Sequence, residues 1–153
     1  MLGDVVEAAL AVGRVVVVTD DPSVVPASAE VVDDPGGGLG AAVAAGLARI
    51  DGHALVVNAD LPAATAAAIR RLADAGLALV EARDGTTNAL SLPDPSVFAP
   101  LYGPGSADRF REHASFVTVS SPELEADVDS DADLERLPAT VGPRTRALLA
   151  VPA

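Results

Sequence analysis

Residues 53–76 read HALVVNADLPAATAAAIRRLADAG, a short apolar run followed by a helical pattern. The run at residues 53–57 is rich in aliphatic and β-branched side chains, which is typical of a buried strand. From residue 63 to residue 75 the apolar side chains recur at helical spacing, and Gly76 supplies a stop signal. The stretch therefore predicts a strand, a loop over residues 58–62 and a helix.

The same alternation of strands and helices continues on both sides of this unit. Predicted strands cover residues 14–19, 29–32, 77–82, 88–92 and 116–120, and predicted helices cover residues 2–10, 39–50, 106–113, 143–149 and a segment opened by Ser130. Strands that alternate with helices favour an α/β fold with helices on the faces of its sheet. No repeat or linker divides the sequence, so we expect one domain over residues 1–153.

The composition excludes several classes of protein. The 153 residues include 22 acidic and 10 basic side chains, and the net charge of −12 repels a nucleic-acid backbone. All the basic residues are arginines and cysteine is absent, which excludes a Walker-type phosphate lysine, disulfides and thiolate chemistry. No apolar stretch approaches the roughly 18 residues of a membrane span. We expect a cytoplasmic protein with no nucleic-acid or membrane partner.

A glycine-rich loop, DPGGGLG at residues 34–40, lies between a predicted strand and a predicted helix. Glycines let backbone N–H groups approach a phosphate or a base, and the amino end of the following helix adds positive potential. The loop is therefore a candidate binding segment for a phosphate or a base. A structural turn is an equally good interpretation of this loop on its own.

Acidic side chains follow the strand at residues 53–57 and recur in a second segment near the carboxyl end. Asp60 comes directly after the strand, and Asp127 and Asp129 point to one side of an extended segment. Together these carboxylates would suit Mg²⁺, which needs few protein ligands and keeps the rest for water and phosphate. Two alternatives stay open: Asp60 as a helix N-cap, and Asp129 as a charge placed before a helix.

Two turns and one arginine form a third candidate group. The turns are GTTN at residues 85–88 and GPGS at residues 103–106, and Arg109 follows the second turn within a predicted helix. Hydroxyl groups, backbone N–H groups and a guanidinium together suit a small phosphorylated carboxylic acid. Each turn alone is also compatible with a purely structural role.

In this order along the chain, the segments resemble the 2-phospho-L-lactate guanylyltransferase family, including its phosphoenolpyruvate-using members in coenzyme F420 biosynthesis. The resemblance covers nearly the whole sequence and rests on its motifs in succession. These are MLGDV at residues 1–5, VVDDP at 31–35 with Gly38 and Leu39, Asp60-Leu61-Pro62, GTTNAL at 85–90, YGPGS at 102–106 with Arg109, Asp127-Val128-Asp129, and VGPRT at 141–145.

The resemblance implies a fold and a reaction. The fold is the three-layer α/β/α nucleotidyltransferase sandwich, Rossmann-like, with a mainly parallel sheet. The reaction is transfer of GMP from GTP to phosphoenolpyruvate or 2-phospho-L-lactate with release of pyrophosphate, and the product passes to a downstream F420-pathway transferase. The oligomeric state stays open, with a homodimer among the options.

The resemblance also implies a role for each matching residue. Asp34, Gly38 and Leu39 would contact the guanine nucleotide. Asp60 would hold Mg²⁺ with Asp127 or Asp129, and Asp60 and Arg109 would act in catalysis. The phosphorylated acid would be held by three residues of the two turns, Thr87, Gly103 and Ser106.

The sequence departs from the family pattern at three points. Family members begin with a strand and a basic loop that this sequence lacks, and that strand is central, so its neighbours would keep unpaired edges. Gly40 stands where the family has asparagine, and one glycine is missing between Thr86 and Thr87.

These departures keep three interpretations open. The first is the guanylyltransferase, active in a longer native form or as a variant with a short start. The second is a truncated, non-catalytic homologue that binds a nucleotide or a partner. The third is transfer to another phosphorylated or sugar-like acceptor, because this fold hosts many acceptors.

Overall fold

The computed structural model describes residues 1–137 and 141–150, so the one-domain prediction for residues 1–153 extends beyond them. The described strands are β1 Val16–Thr19, β2 Glu30–Asp33, β3 Ala54–Val57, β4 Ala78–Glu81, β5 Thr87–Leu92 and β6 Val117–Thr118. The described helices are α1 Leu2–Leu10, α2 Leu39–Leu47, α3 Ala66–Asp74, α4 Ser106–His113, α5 Pro122–Glu125, α6 Asp131–Glu135 and α7 Pro143–Leu149, with 3₁₀ turns at Pro22–Val24 and Pro95–Val97.

The described strands form two sheets. The larger sheet has the order β3-β5-β4-β6, and the smaller one pairs β1 with β2 in parallel. Strand β5 is antiparallel to both neighbours, while β4 and β6 are parallel. Strands β3, β4 and β6 therefore point the same way, and β5 alone in this sheet is reversed.

Two apolar clusters pack on opposite faces of the larger sheet. On β4, Ala78 and Val80 join one cluster with α1, α3 and α5, whereas Leu79 joins a second cluster with α4. Side chains of successive strand residues point to opposite faces, so β4 contributes to both clusters. The predicted three-layer α/β/α arrangement is thereby confirmed, with the strands as its middle layer.

Helix α3 begins later than the sequence predicts. The residue that caps its amino end is Thr65, whose hydroxyl accepts a hydrogen bond from the Ala68 N–H at 3.1 Å. A turn closed by the Ala64 N–H and the Leu61 carbonyl occupies the positions before it, so the predicted helix start at residue 63 is wrong. Among the helices described, none combines the length and hydropathy of a bilayer span.

The smaller sheet and its surroundings are poorly buried. Within the described residues, β1 pairs only with β2, and β3 pairs only with β5. No residue from 7 to 53, all of them described, is buried. The contacts that hold this region include Gly46 of α2 against Val18 of β1, and ion pairs from Arg14 and Arg49 to Glu30. Both edges of each sheet thus have no strand partner in the described part of the chain.

A buried carboxylate joins the two ends of the described chain. Asp4 of α1 is 5 % exposed and accepts hydrogen bonds from the Arg144 N–H at 3.0 Å, the Thr145 N–H at 2.8 Å and the Thr145 hydroxyl at 2.7 Å. These are the first N–H groups of α7, which have no partner inside the helix. A Cβ atom at Gly142 would overlap the Asp4 side chain, so glycine is required there.

We expect Asp4→Ala to lower the free energy of unfolding by about 2 kcal/mol, because it removes a charged N-cap with several hydrogen bonds. Burial raises the pKa of Asp4, but the bonds from Thr145 and Arg144 outweigh burial and lower the pKa overall. This stabilisation is therefore present above the ordinary aspartate pKa and is lost as the pH falls through the lowered value.

Urea unfolding at neutral and acidic pH measures both effects, with Asp51→Ala at an exposed position as the control. Equal losses for the Asp4 and Asp51 variants at neutral pH would contradict the capping role.

Candidate active site

Asp60 lies just beyond the carboxyl end of β3 and has one enclosed oxygen. Its Oδ1 atom is buried and, within the described residues, has no hydrogen-bond partner. The N-cap of α3 is Thr65, so Asp60 does not cap this helix and that alternative is excluded. A buried polar atom without a partner is costly and calls for an explanation, and a bound cation supplies one.

The second acidic segment is held against Asp60 by the backbone. The Val128 N–H donates to the Asp60 carbonyl at 3.2 Å, which places Asp127 and Asp129 on either side of this contact in the chain. Burial raises the pKa of Asp60, and the negative charges of Asp127 and Asp129 raise it further. The pKa of Asp127 is also raised, first by burial and then by neighbouring carboxylates that include Asp84.

The donor set fits a sparsely ligated magnesium ion. Over residues 1–137 and 141–150, no group of three or more His, Cys, Asp or Glu side chains is close enough to form a metal centre. Mg²⁺ commonly binds through one or two carboxylates and completes its shell with water and phosphate. Asp60 with Asp127 or Asp129 meets that requirement, and the like charges that raise the pKa of Asp60 would be offset by a cation.

Thr87 and Ser106 contact each other in the interior. The Ser106 hydroxyl donates to the Thr87 hydroxyl at 3.0 Å, and both residues are almost completely buried. The two hydroxyls are thus occupied with one another. In the described residues the N–H groups of Gly103 and Gly105 have no acceptor, so the backbone of this turn is what remains for an anion.

Arg109 holds the same turn from inside. Its guanidinium donates to the Leu101 carbonyl at 2.8 and 3.1 Å, to the Tyr102 carbonyl at 3.1 Å and to the Pro104 carbonyl at 2.5 Å. Gly103 and Gly105 have φ angles of 110° and 69°, which favour glycine. The donors of Arg109 are therefore used to shape the turn, which differs from the predicted direct role of this arginine at the substrate.

The glycine-rich loop is exposed and leads into α2. The Asp34 carboxylate accepts from the Gly36 N–H at 2.8 Å, and Gly38 is the N-cap of α2. A Cβ atom at Gly40 would lie 2.6 Å from Pro100 Cβ. The start of α2 therefore packs against Pro100, which directly precedes the turn that Arg109 holds. A larger residue at position 40 would therefore collide with Pro100, and Leu39 beside it is 46 % exposed.

Two asparagines for which the sequence predicts no individual role connect these groups. Asn58, between β3 and Asp60, donates from Nδ2 to the Thr87 carbonyl at 3.4 Å. Asn88, 1 % exposed in β5, donates to the Leu124 carbonyl at 3.1 Å. An asparagine next to or inside an apolar strand was the available signal, because a buried amide needs specific partners.

Comparison with known proteins assigns the family. The model of the MobA-like NTP transferase domain matches residues 1–107. The chain belongs to this family. This MobA-like chain also shares its fold with a solved structure described as a hypothetical transferase from Thermus thermophilus, with a TM-score of 0.59 and 23 % identity over 88 % of this chain and 85 % of that one.

Curated relatives of this MobA-like chain carry more specific names. A phosphoenolpyruvate guanylyltransferase of Streptomyces scabiei is 35 % identical over 94 % of this chain and 76 % of that protein. A 2-phospho-L-lactate guanylyltransferase of Natrialba magadii is 35 % identical over 88 % of this chain and 68 % of that protein. The family resemblance found in the sequence is therefore confirmed, and the chain is a member of a nucleotidyltransferase family.

We expect Asp60→Asn to raise the free energy of unfolding of this MobA-like chain in the absence of divalent metal. A raised carboxyl pKa means that the ionised form destabilises the folded state at neutral pH, and this cost disappears as the pH falls through the raised value. Most substitutions instead lower the free energy of unfolding, by about 1 kcal/mol.

Urea unfolding in EDTA at neutral pH measures the difference, with Asp51→Asn at an exposed position as the control. If Asp60→Asn destabilises the protein more than the control does, the charge crowding inferred at Asp60 is incorrect.

Proposed function

We propose that the protein is a guanylyltransferase that transfers GMP from GTP to phosphoenolpyruvate or 2-phospho-L-lactate and releases pyrophosphate, in coenzyme F420 biosynthesis. The names of its curated relatives support this activity. The observation that carries it within the chain is the enclosed Asp60 oxygen, which lacks a partner among the described residues and lies beside the segment of Asp127 and Asp129.

The proposed reaction is a single displacement at phosphorus. An oxygen of the acceptor's phosphate forms a bond to the α-phosphorus of GTP, and the bond from that phosphorus to the β-phosphate oxygen breaks. Pyrophosphate leaves with the bonding electrons. The attacking oxygen is already anionic at neutral pH, so no strong general base is required, and a site without a catalytic histidine or cysteine is compatible with this chemistry.

Charge is the main obstacle, because a triphosphate must approach a phosphorylated carboxylate. Mg²⁺ held by Asp60 with Asp127 or Asp129 would supply positive charge that offsets this repulsion. The chain's own contribution is to keep these carboxylates together through the contact between the Val128 N–H and the Asp60 carbonyl. Asp60 is the residue in this set with an enclosed oxygen, so we assign it the principal role.

The acid substrate is assigned to the turn at residues 103–106. The N–H groups of Gly103 and Gly105 are available there, and the Ser106–Thr87 contact fixes the turn against β5. Arg109 acts in this scheme as a positioning residue, since its donors hold the carbonyls of the turn. The guanine nucleotide is assigned to the exposed loop with Asp34, Gly38 and Leu39.

Two observations favour a second candidate function. The exposed residues 33–39 include no basic side chain, and in the described residues β1 and β3 each have a strand partner on one side only. Both features are compatible with a non-catalytic homologue that binds a nucleotide or a partner. The two candidates differ in turnover, which a direct assay measures.

We expect the purified chain with GTP and Mg²⁺ to release pyrophosphate in the presence of phosphoenolpyruvate or 2-phospho-L-lactate, but not without an acceptor. Coupling to the downstream F420-pathway transferase removes the product as it forms. Asp60→Asn should lower the rate at least a hundredfold, because it removes the proposed principal ligand of the metal. The matched control is Asp51→Asn, which should keep the wild-type rate.

Three outcomes separate the assignments. Turnover that survives Asp60→Asn unchanged would contradict the metal role of Asp60. If neither acid supports turnover, but calorimetry still detects GTP binding, the non-catalytic candidate is favoured. Turnover with a different phosphorylated acceptor would support guanylyl transfer and contradict the proposed acid substrate.

A further inference from the structure

A cavity of about 290 Å³ opens between the turn after β4 and the second acidic segment. Its lining includes Arg83 and Asp84 of this turn, Asp127 and Asp129 of the acidic segment, Asp133 of α6 and Arg136 directly after α6. This volume is at the lower end of the range for ligand sites, about 300 to 1,000 Å³. It suits a small anion better than a whole nucleotide.

Arg83 differs from the other arginines in its contacts. Arg144 forms an ion pair with Glu7 at 3.9 Å. Each of the others donates to a carbonyl or carboxylate, as Arg70 does to the Ala11 carbonyl and Arg111 to Glu81. Within the part of the chain that the structure describes, no ion pair or side-chain hydrogen bond of Arg83 is found. Arg136 pairs with Asp133 at 3.4 Å in an exposed geometry, which contributes little. Both guanidinium groups are therefore available to a ligand.

The backbone joins the turn that carries Arg83 to helix α4. Two residues after it, the Gly85 carbonyl accepts from the Ala107 N–H at 3.2 Å, which joins this turn to α4 beside Ser106. The Asp84 carboxylate fixes the turn by accepting from the Thr86 N–H at 2.9 Å and the Thr86 hydroxyl at 2.7 Å. Arg83 thus lies on a turn that has its own hydrogen bonds and is joined to the residue after Ser106.

The acidic wall of the cavity does not by itself attract an anion. A guanidinium recognises phosphate through paired hydrogen bonds and keeps its charge at all relevant pH values. The lining has two arginines together with four aspartates, Asp84, Asp127, Asp129 and Asp133. Both signs of charge are therefore present, which suits a phosphate group that would enter together with a divalent cation.

We infer that Arg83, assisted by Arg136, binds the phosphate group of the small phosphorylated acid in this cavity. The inference rests on the proposed function and deepens it, since it names the side chains that neutralise the acceptor. Sequence analysis did not select either arginine, because neither lies in a motif and their proximity arises only from the fold. The same two guanidinium groups would also bind the pyrophosphate that leaves in the reaction.

Binding of phosphoenolpyruvate to the intact chain tests this inference without turnover. Calorimetric titration in Mg²⁺ and in the absence of GTP should show a dissociation constant at least about tenfold larger for Arg83→Gln than for the wild type, the effect of losing a charge-assisted contact. Arg70→Gln makes the same change in net charge at a site beside α1 and should bind like the wild type. The dissociation constant of Arg83→Lys should lie between those of the wild type and Arg83→Gln, because lysine keeps the positive charge but lacks the paired donors of a guanidinium.

Further ligands identify the group that Arg83 recognises. Pyruvate lacks the phosphate and should bind weakly to the wild type and Arg83→Gln alike, whereas pyrophosphate should lose affinity in the variant if the cavity also holds the product. Equal phosphoenolpyruvate affinities of the Arg83 and Arg70 variants, or no binding to the wild type, would overturn the inference. If Arg83→Gln weakens phosphoenolpyruvate binding as expected, but the wild-type chain releases no pyrophosphate, only the proposed function is contradicted.

Discussion

Strand β5 is the element on which the arrangement of the candidate active site depends. All of its residues are buried, and it runs antiparallel to both β3 and β4. The carboxyl end of β3 therefore meets the amino end of β5, with Val57 opposite Ala89. For this reason Asn58 reaches the Thr87 carbonyl, and Asp60 lies near the turns that the sequence separates from it. A uniformly parallel order of these strands would have put them at opposite ends of the sheet.

The charges of the site are arranged at a cost to the folded state. Asp60, Asp127 and Asp129 repel one another, and the pKa of Asp60 is raised first by burial and then by the other two. Asp4 contrasts with Asp60, because its hydrogen bonds at the start of α7 lower its pKa overall. Carboxylates with raised pKa values occur often at functional sites.

Much of the architecture could be predicted from local patterns, and the remainder depends on contacts between distant segments. The bounds of α1, α4 and α7 agree with the sequence prediction, since capping and stop residues flank clear helical periods. No local sequence pattern predicts the reversed direction of β5, because a buried strand has the same apolar pattern whether it runs parallel or antiparallel to its neighbours. Asp60 was selected from its place after a strand, but its role as an N-cap could be excluded only once Thr65 was seen in that position. The internal contacts of Arg109 and the exposed cavity side chain of Arg83 were likewise invisible before the chain was folded.

The shallow packing of the smaller sheet has a dynamic consequence. With no buried residue from 7 to 53, all of it described, this lobe is held by ion pairs at its surface and by the seating of α2. A unit with so few enclosed contacts opens at a lower free energy than the core around β5. A ligand that binds the glycine-rich loop only while β1, β2 and α2 are packed together would stabilise this lobe against opening. Substitutions that weaken the packing of β1, β2 and α2 would then lower the affinity of the loop without touching the ligand.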